Sequence, residues 1–318
     1  MKTAFLFPGQ GSQQVGMGKE LYENFSEARD VYEVVNDALN QKLTNIIFSG
    51  DEEELKITSN TQPAIMATSM AVLTMLCDFA NKELGDMCSV IAGHSLGEYS
   101  ALCASDSLTL SDTAKILRAR GDAMQSAVPV GVGAMYALIG GDELKAQKMC
   151  ELLSSNGICE IANDNGAVQI ILSGEAKAFE TIDAIIKDFQ IRRAVKLQVS
   201  APFHSSLMKE ATSIMTQELV KYNFNMPKVD VIANYSADVY KSAPEIKDLL
   251  IKQIEGKVRW RETIAKMYHE FGIRRFVEIG PGRVLSNLVK HQYADAKVHS
   301  LQTTQDIEEY LTQGEKHV

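Results

Sequence analysis

Ser89-Val90-Ile91-Ala92-Gly93-His94-Ser95-Leu96-Gly97-Glu98-Tyr99-Ser100-Ala101-Leu102-Cys103-Ala104 is the stretch whose reading decides the fold. Its first four residues form a short apolar run closed by glycine, the mark of a buried strand, and from Leu96 onward the pattern is helical. Between them stands Gly93-His94-Ser95-Leu96-Gly97, a G-x-S-x-G turn. Glycine and serine are common enough that this pattern alone is weak; a strand directly before it and a helix directly after it give it weight. In such a turn the glycines remove side-chain obstruction, and the serine is held at a strained corner. The helix N-terminus then aims free N–H groups at developing negative charge. The plainer alternative is a tight turn whose serine only caps the helix.

Outward from this unit, Lys2–Phe7 is a second short apolar run, ended by Pro8-Gly9-Gln10-Gly11-Ser12-Gln13. It reads as a strand entering a glycine-rich loop. Glu20–Leu39 has helical spacing, and Gln62–Ala80 is apolar nearly all round, as a central helix is. From residue 131 to 200 the rhythm changes. Strands are expected at Ala134–Ile139, Ile158–Ala162, Val168–Leu172 and Arg193–Val199, with helices at Glu143–Ser154 and Lys177–Phe189. That order, βαββαβ, is the ferredoxin-like unit. Beyond it we expect a helix at Ser205–Tyr222, a strand at Val229–Asn234 and a helix at Glu262–Phe271. A strand at Arg275–Ile279 and a last helix near Leu285–His291 follow, and the charged tail after Thr303 reads as a solvated helix or a loose end. Strands alternating with helices imply a mostly parallel sheet covered on both faces. The expected fold class is therefore α/β: an α/β-hydrolase-like large subdomain (1–129 and 200–318) with an inserted ferredoxin-like small subdomain (130–199).

Composition narrows the function classes. The chain has 318 residues, 45% of them hydrophobic and 23% charged, which excludes a disordered chain, a collagen-like fibre and a disulfide-stapled mini-protein. With 32 basic and 41 acidic residues the net charge is −9, so there is no general attraction to nucleic acid or to an anionic membrane. Five cysteines form no C-x-x-C pair, and their odd number argues against a disulfide framework. Ala4–Phe7 is too short for a signal-peptide core. Ala123–Gly141 is uncharged, but its Gln125, Pro129 and glycines make it no membrane helix. We expect a cytoplasmic, monomeric protein without metal or organic cofactor.

A nucleophilic serine needs a base. His94 is adjacent, but neighbouring side chains diverge at such a turn, so it is read as packing that borders the pocket. His269, His299 and His317 suit surface roles. His204 follows a strand end in Ser200-Ala201-Pro202-Phe203-His204-Ser205, at the carboxyl edge of the sheet where Ser95 also lies and where sites of open α/β sheets gather. His291 is its rival, because α/β-hydrolases place their histidine late. Arg120 falls nine residues beyond Ser111, the expected cap of the next helix, about 13 Å back along the axis at 1.5 Å per residue. It shares the apolar face of Leu117 and Met124, so it needs an anion, which its planar fork can hold with two hydrogen bonds. A structural ion pair is the alternative. Gln10 sits in the loop after the first strand; its backbone N–H and that of Leu96 are candidates for an oxyanion hole, against an ordinary Pro-Gly turn.

Together these residues resemble the malonyl-CoA:acyl carrier protein transacylase family, which includes the acyltransferase domains of fatty acid and polyketide synthases. The likeness rests on FPGQGSQ (Phe7–Gln13), NTQPA (Asn60–Ala64), GHSLGEYSAL (Gly93–Leu102), Arg120-Gly121, APFHS (Ala201–Ser205) and EIGPG (Glu278–Gly282), in order along nearly the whole chain. The resemblance implies that Ser95 is acylated, His204 is its base, Arg120 binds the malonyl carboxylate, and Gln10 and Leu96 form the oxyanion hole. It also implies that Gln62 lines the pocket and that a backbone carbonyl near Val258-Arg259-Trp260 steadies the histidine; Arg259 is taken as that residue. Some relatives have glutamine or asparagine there, which leaves a backbone role intact. Phe203 resembles malonyl-selective members, since its ring crowds an added α-methyl. The implied partners are malonyl-CoA and acyl carrier protein, the latter usually acidic and met by residues such as Arg192, Arg193 and Lys196. A serine hydrolase, thioesterase or esterase, is the competing reading. It predicts a late histidine, an acidic third member and no arginine at the pocket. A catalytically silent scaffold would require Ser95 or His204 to be out of place.

Overall fold

The computed structural model describes residues 1–199 and 201–315. Ser200 and His317, both considered above, lie outside the described residues. Two sheets organise the chain. The first has five parallel strands in the order β7 (Asp230–Val231), β2 (Val90–Gly93), β1 (Thr3–Phe7), β8 (Arg275–Ile279) and β9 (Lys297–Leu301). All five residues of β1 are buried, as a central strand of a sheet covered on both faces must be. Alternation then sorts the side chains. Phe5, Phe7, Ile91 and Val277 face the core built around helix Thr58–Ala80, whereas Ala4, Leu6, Val90 and Phe276 face Trp260 and Ile264.

The second sheet is antiparallel, in the order β4 (Cys159–Asp164), β5 (Gln169–Glu175), β3 (Gly133–Ile139) and β6 (Arg193–Lys196). One face packs on helix Glu143–Leu153 through Leu138, Met149 and Leu172. Met135 and Ile171, on the other face, join the main core. This sheet therefore leans its apolar face toward the parallel one.

Several elements differ from their sequence-based expectation. The stretch 20–39 is two helices, Lys19–Asn24 and Ser26–Leu39, broken at Phe25. That residue is extended, and its ring packs edge-on against Phe79 at 5.5 Å. Between 177 and 189 the expected helix is a 3-10 turn, Ala176–Phe179, then a single turn, Ile182–Ile185. Thr181 leaves helical geometry, and Phe179 is anchored on Tyr136 with ring centroids 4.8 Å apart. The helix carrying Arg120 is Leu110–Ser126, and its cap is Thr109, whose Oγ1 accepts from the Asp112 N–H; Ser111 lies within the first turn. Strand β9 and helix Ala243–Glu255 have no counterpart in the sequence reading. The tail forms helix Thr304–Glu315 and buries Ile307. Helix Thr58–Ala80 is long and apolar enough to cross a membrane, yet it lies mostly buried in the protein core.

Candidate active site

The G-x-S-x-G segment is a turn between β2 and helix Gly97–Ala104. Ser95 has φ 53°, a left-handed conformation rare for a residue with a side chain. Close packing explains the flanking glycines: a Cβ on Gly93 would lie 1.8 Å from the Gly97 carbonyl oxygen, and one on Gly97 2.3 Å from that of Phe7. The strain is held by Asn234, whose Oδ1 accepts the Ser95 N–H at 2.7 Å while its Nδ2 donates to the Gly93 carbonyl at 2.7 Å. That second task explains why the expected strand at 229–234 ends at Val231. Past it the chain turns to deliver Asn234 to the corner.

Ser95 Oγ lies 2.8 Å from Nε2 of His204. The other ring nitrogen, Nδ1, lies 2.8 Å from the Gln253 carbonyl oxygen. A carbonyl only accepts, so Nδ1 carries the proton and Nε2 presents its lone pair to the serine hydroxyl. His204, itself at φ 55°, is 4% exposed. Burial first, and the Arg120 charge second, push its pKa down to about 3. The free site therefore holds a neutral imidazole. His291 is exposed on the last helix before β9, far from the role a late histidine would need.

The carbonyl that steadies His204 belongs to Gln253, which corrects the expectation of Arg259. Arg259 precedes helix Trp260–His269, and its carbonyl accepts from the N–H and the hydroxyl of Thr263, each at 3.0 Å. Its side chain pairs with Glu262. Gln253 instead sits in the last turn of helix Ala243–Glu255, where carbonyls have no intrahelical partner. Sequence reasoning missed Gln253 because it missed this helix. The signal was present: Ser242-Ala243-Pro244-Glu245 is a cap with proline in the first turn, followed by Ile246, Leu249, Leu250 and Ile254 at helical spacing.

Arg120 is 1% exposed and has, among the described residues, no carboxylate within ion-pair distance. Its guanidinium donates to neutral acceptors only: Gln62 Oε1 at 2.8 Å, Gln253 Oε1 at 2.9 Å and Ser95 Oγ at 3.1 Å. The Nε has no hydrogen-bond partner among the described residues. A buried cation held this way beside a serine hydroxyl is an incomplete anion site.

Ser95, His204, Arg120 and Gln62 border one cavity of about 420 Å³, which also takes in Gln10, Leu96, Phe203 and His94. Leu96 immediately precedes helix Gly97–Ala104. Gln10 turns its amide to Thr58 Oγ1 at 3.4 Å. The antiparallel sheet contributes the facing wall through Met135, Asn163, Asn165, Gln169 and Ile171. His94 spans the two sheets: its Nε2 meets Asn165 Oδ1 at 2.9 Å and its ring lies 5.3 Å from that of Trp260. Burial pushes its pKa down to about 4, which suits a neutral wall residue. Arg192, Arg193 and Lys196 lie exposed at and beside the edge strand β6.

An activated serine, a histidine steadied by a carbonyl and a buried arginine with no anion define an acyl-transferring site. The chain belongs to the acyl transferase domain family, whose model matches residues 4–312. The malonyl CoA-acyl carrier protein transacylase of Bacillus subtilis (strain 168) is 43% identical over 290 residues, 91% of this chain and 90% of that protein. The crystal structure of acyl-carrier-protein-S-malonyltransferase from Bartonella henselae matches with a TM-score of 0.94 at 47% identity, over 98% of this chain and 99% of that one. A further structure shows a malonyl-transacylase in complex with its type II PKS acyl-carrier protein. It matches at 34% identity and a TM-score of 0.93, over 98% of this chain and 100% of that one.

Proposed function

We propose that this chain moves the malonyl group from malonyl-CoA to the phosphopantetheine thiol of an acyl carrier protein through a malonyl-Ser95 intermediate, supplying fatty acid synthesis. The observation that carries this reading is Arg120: a buried guanidinium with neutral partners only, 3.1 Å from the hydroxyl that would bear the acyl group. A hydrolase of simple acyl esters has no use for that charge. Nor, among the described residues, does His204 contact an acidic third member, as the hydrolase reading requires; its partner is the carbonyl of Gln253.

In this mechanism the malonyl carboxylate docks on Arg120, beside Gln62, and brings the thioester carbonyl over Ser95. His204 Nε2 takes the hydroxyl proton as Oγ attacks the carbonyl carbon. The backbone N–H groups of Gln10 and Leu96 hold the oxyanion. Collapse expels CoA, whose sulfur takes the proton back from His204. The carrier thiol then attacks malonyl-Ser95 by the same route, so the kinetics are ping-pong. Burial and the Arg120 charge both depress the basicity of His204. A carboxylate on Arg120 cancels the second effect, so the correct substrate strengthens the base that activates the nucleophile. Phe203, buried at the cavity wall, narrows the space beside the α-carbon against a methyl branch.

Within the α/β architecture we read residues 1–129 and 200–318 as an α/β-hydrolase-like large subdomain and 130–199 as a ferredoxin-like small one. The strand order β4-β5-β3-β6 supports the latter. The exposed Arg192, Arg193 and Lys196 suit an acidic carrier protein. The reading further takes the enzyme as a cytoplasmic monomer that works without metal or organic cofactor.

Initial-rate kinetics test the proposal. With malonyl-CoA and holo acyl carrier protein both varied, we expect parallel double-reciprocal lines and malonyl on the carrier. Free malonate as the main product would favour the hydrolase, and intersecting lines would exclude the covalent intermediate.

A further inference from the structure

Glu98 lies on the first turn of helix Gly97–Ala104, three residues beyond the nucleophile, and is 0% exposed. The mechanism above does not use it. Its Oε2 accepts from the Asn234 N–H at 3.0 Å and from Gln253 Nε2 at 2.7 Å, and its Oε1 accepts from the Tyr240 hydroxyl. Gln253 is thus shared four ways. Its amide oxygen holds Arg120, its amide nitrogen donates to Glu98 and to the Ser95 carbonyl, and its own carbonyl holds His204. One amide therefore separates the carboxyl of Glu98 from the guanidinium of Arg120. Three donors on one carboxyl favour its ionised form, and a buried guanidinium needs a balancing charge.

We propose that Glu98 is the counter-charge of Arg120 in the unloaded enzyme, acting through the Gln253 amide, and that it gives up this charge by taking one proton from solvent when a malonyl carboxylate docks. The inference rests on the reading of Arg120 as the carboxylate-binding residue. It makes Glu98 a positioning residue rather than a catalytic one. The balance is simple: one carboxylate enters, one proton enters, and the buried charge of the pocket is unchanged. The charged and titratable groups around Glu98 are Arg120 from helix Leu110–Ser126, Tyr99 on its own helix, and Tyr240 from the segment after β7. Beyond Tyr240 stands Glu245 of helix Ala243–Glu255. His204, on the far side of Gln253, is neutral. Burial pushes the Glu98 pKa up to about 7, against the hydrogen bonds and Arg120, which lower it. A second anion on Arg120 raises it further. Between the free and loaded values binding takes up a proton, so malonyl-CoA affinity is highest below the free pKa and falls as pH rises through it. A shift of one unit corresponds to about a tenfold change in affinity.

The test is equilibrium binding by calorimetry to the unreactive Ser95→Ala protein, from about pH 5.5 to about pH 9, with malonyl-CoA and with acetyl-CoA. The two ligands share every titrating group of CoA, so only their difference reports the pocket. We expect the Kd ratio to shift about tenfold across neutrality, with proton uptake seen for malonyl-CoA alone when buffers of different ionisation enthalpy are compared. Adding Glu98→Gln, which keeps the shape and two acceptor bonds but cannot ionise, flattens the ratio at its low-pH value. Adding Tyr240→Phe removes a donor to the ionised form, so the step moves to higher pH. A malonyl-over-acetyl preference that is constant with pH, or a step that survives Glu98→Gln, overturns the counter-charge. Absence of any malonyl preference at every pH overturns instead the reading of Arg120 on which it rests. Should Glu98→Gln fail to fold, the Ser95→Ala and Tyr240→Phe profiles decide the matter.

Discussion

Ser95→Ala eliminates the malonyl-enzyme and lowers transfer to carrier thiol by at least about 10⁴-fold, as loss of the nucleophile does in other serine enzymes. The expectation follows from the corner itself. Among the described residues, Ser95 is the one hydroxyl that meets both His204 Nε2 and the Arg120 guanidinium. Its left-handed backbone is held by Asn234 through the main chain, which alanine leaves in place. The variant therefore keeps its fold, and its melting temperature stays within a few degrees of the parent, about 1.5 °C per kcal/mol at this size. Rates by radiolabelled malonyl transfer and a melting scan together check this. A variant that melts normally yet retains transfer within tenfold of the parent would remove Ser95 from the chemistry.

Arg120→Ala changes which substrate is preferred more than it changes the machinery. Truncating one partner of a buried, hydrogen-bonded charge pair costs about 2–5 kcal/mol, so kcat/KM for malonyl-CoA is expected to fall about 30- to 5,000-fold. Acetyl-CoA has no carboxylate to lose. Removing the cation also lifts the second largest of the effects that depress the pKa of His204, so acetyl loading falls far less than malonyl loading or rises. The ratio of the two specificity constants is the quantity to measure. An equal loss for both substrates would mean that Arg120 serves the structure, holding Gln62 and Gln253 in place, and not the malonyl group.

Much of this site is legible in the sequence because its members sit on short motifs with local causes. The strand, the tight turn and the helix around Ser95 follow from Val90–Ala92, two glycines with no room for a Cβ, and the helical run after Leu96. Arg120 is visible because an arginine on an apolar helix face demands an anion. What stays hidden depends on residues distant in sequence. Gln253, Asn234 and Glu98 are polar side chains whose roles exist only where the chain ends of three elements converge, and nothing local marks them as a network. The carbonyl that orients His204 is a backbone group, indifferent to residue type, and only the end of a helix selects it. The misplacement at Arg259 has that origin. A helix beginning at Trp260 uses the Arg259 carbonyl for its own first turn. The separate antiparallel sheet, by contrast, is carried by a change of rhythm that spans about 70 residues of sequence.

A malonyl group stored on Ser95 and released to a thiol rather than to water separates the transferase from a hydrolase. Intact-protein mass spectrometry after brief exposure to malonyl-CoA, followed by a chase with holo acyl carrier protein, reads it directly. We expect a single malonyl adduct, mapped to the peptide containing Ser95, that persists in buffer and transfers to the carrier within the chase. An adduct on another residue, or one that decays to malonate as fast without carrier as with it, would contradict the assignment.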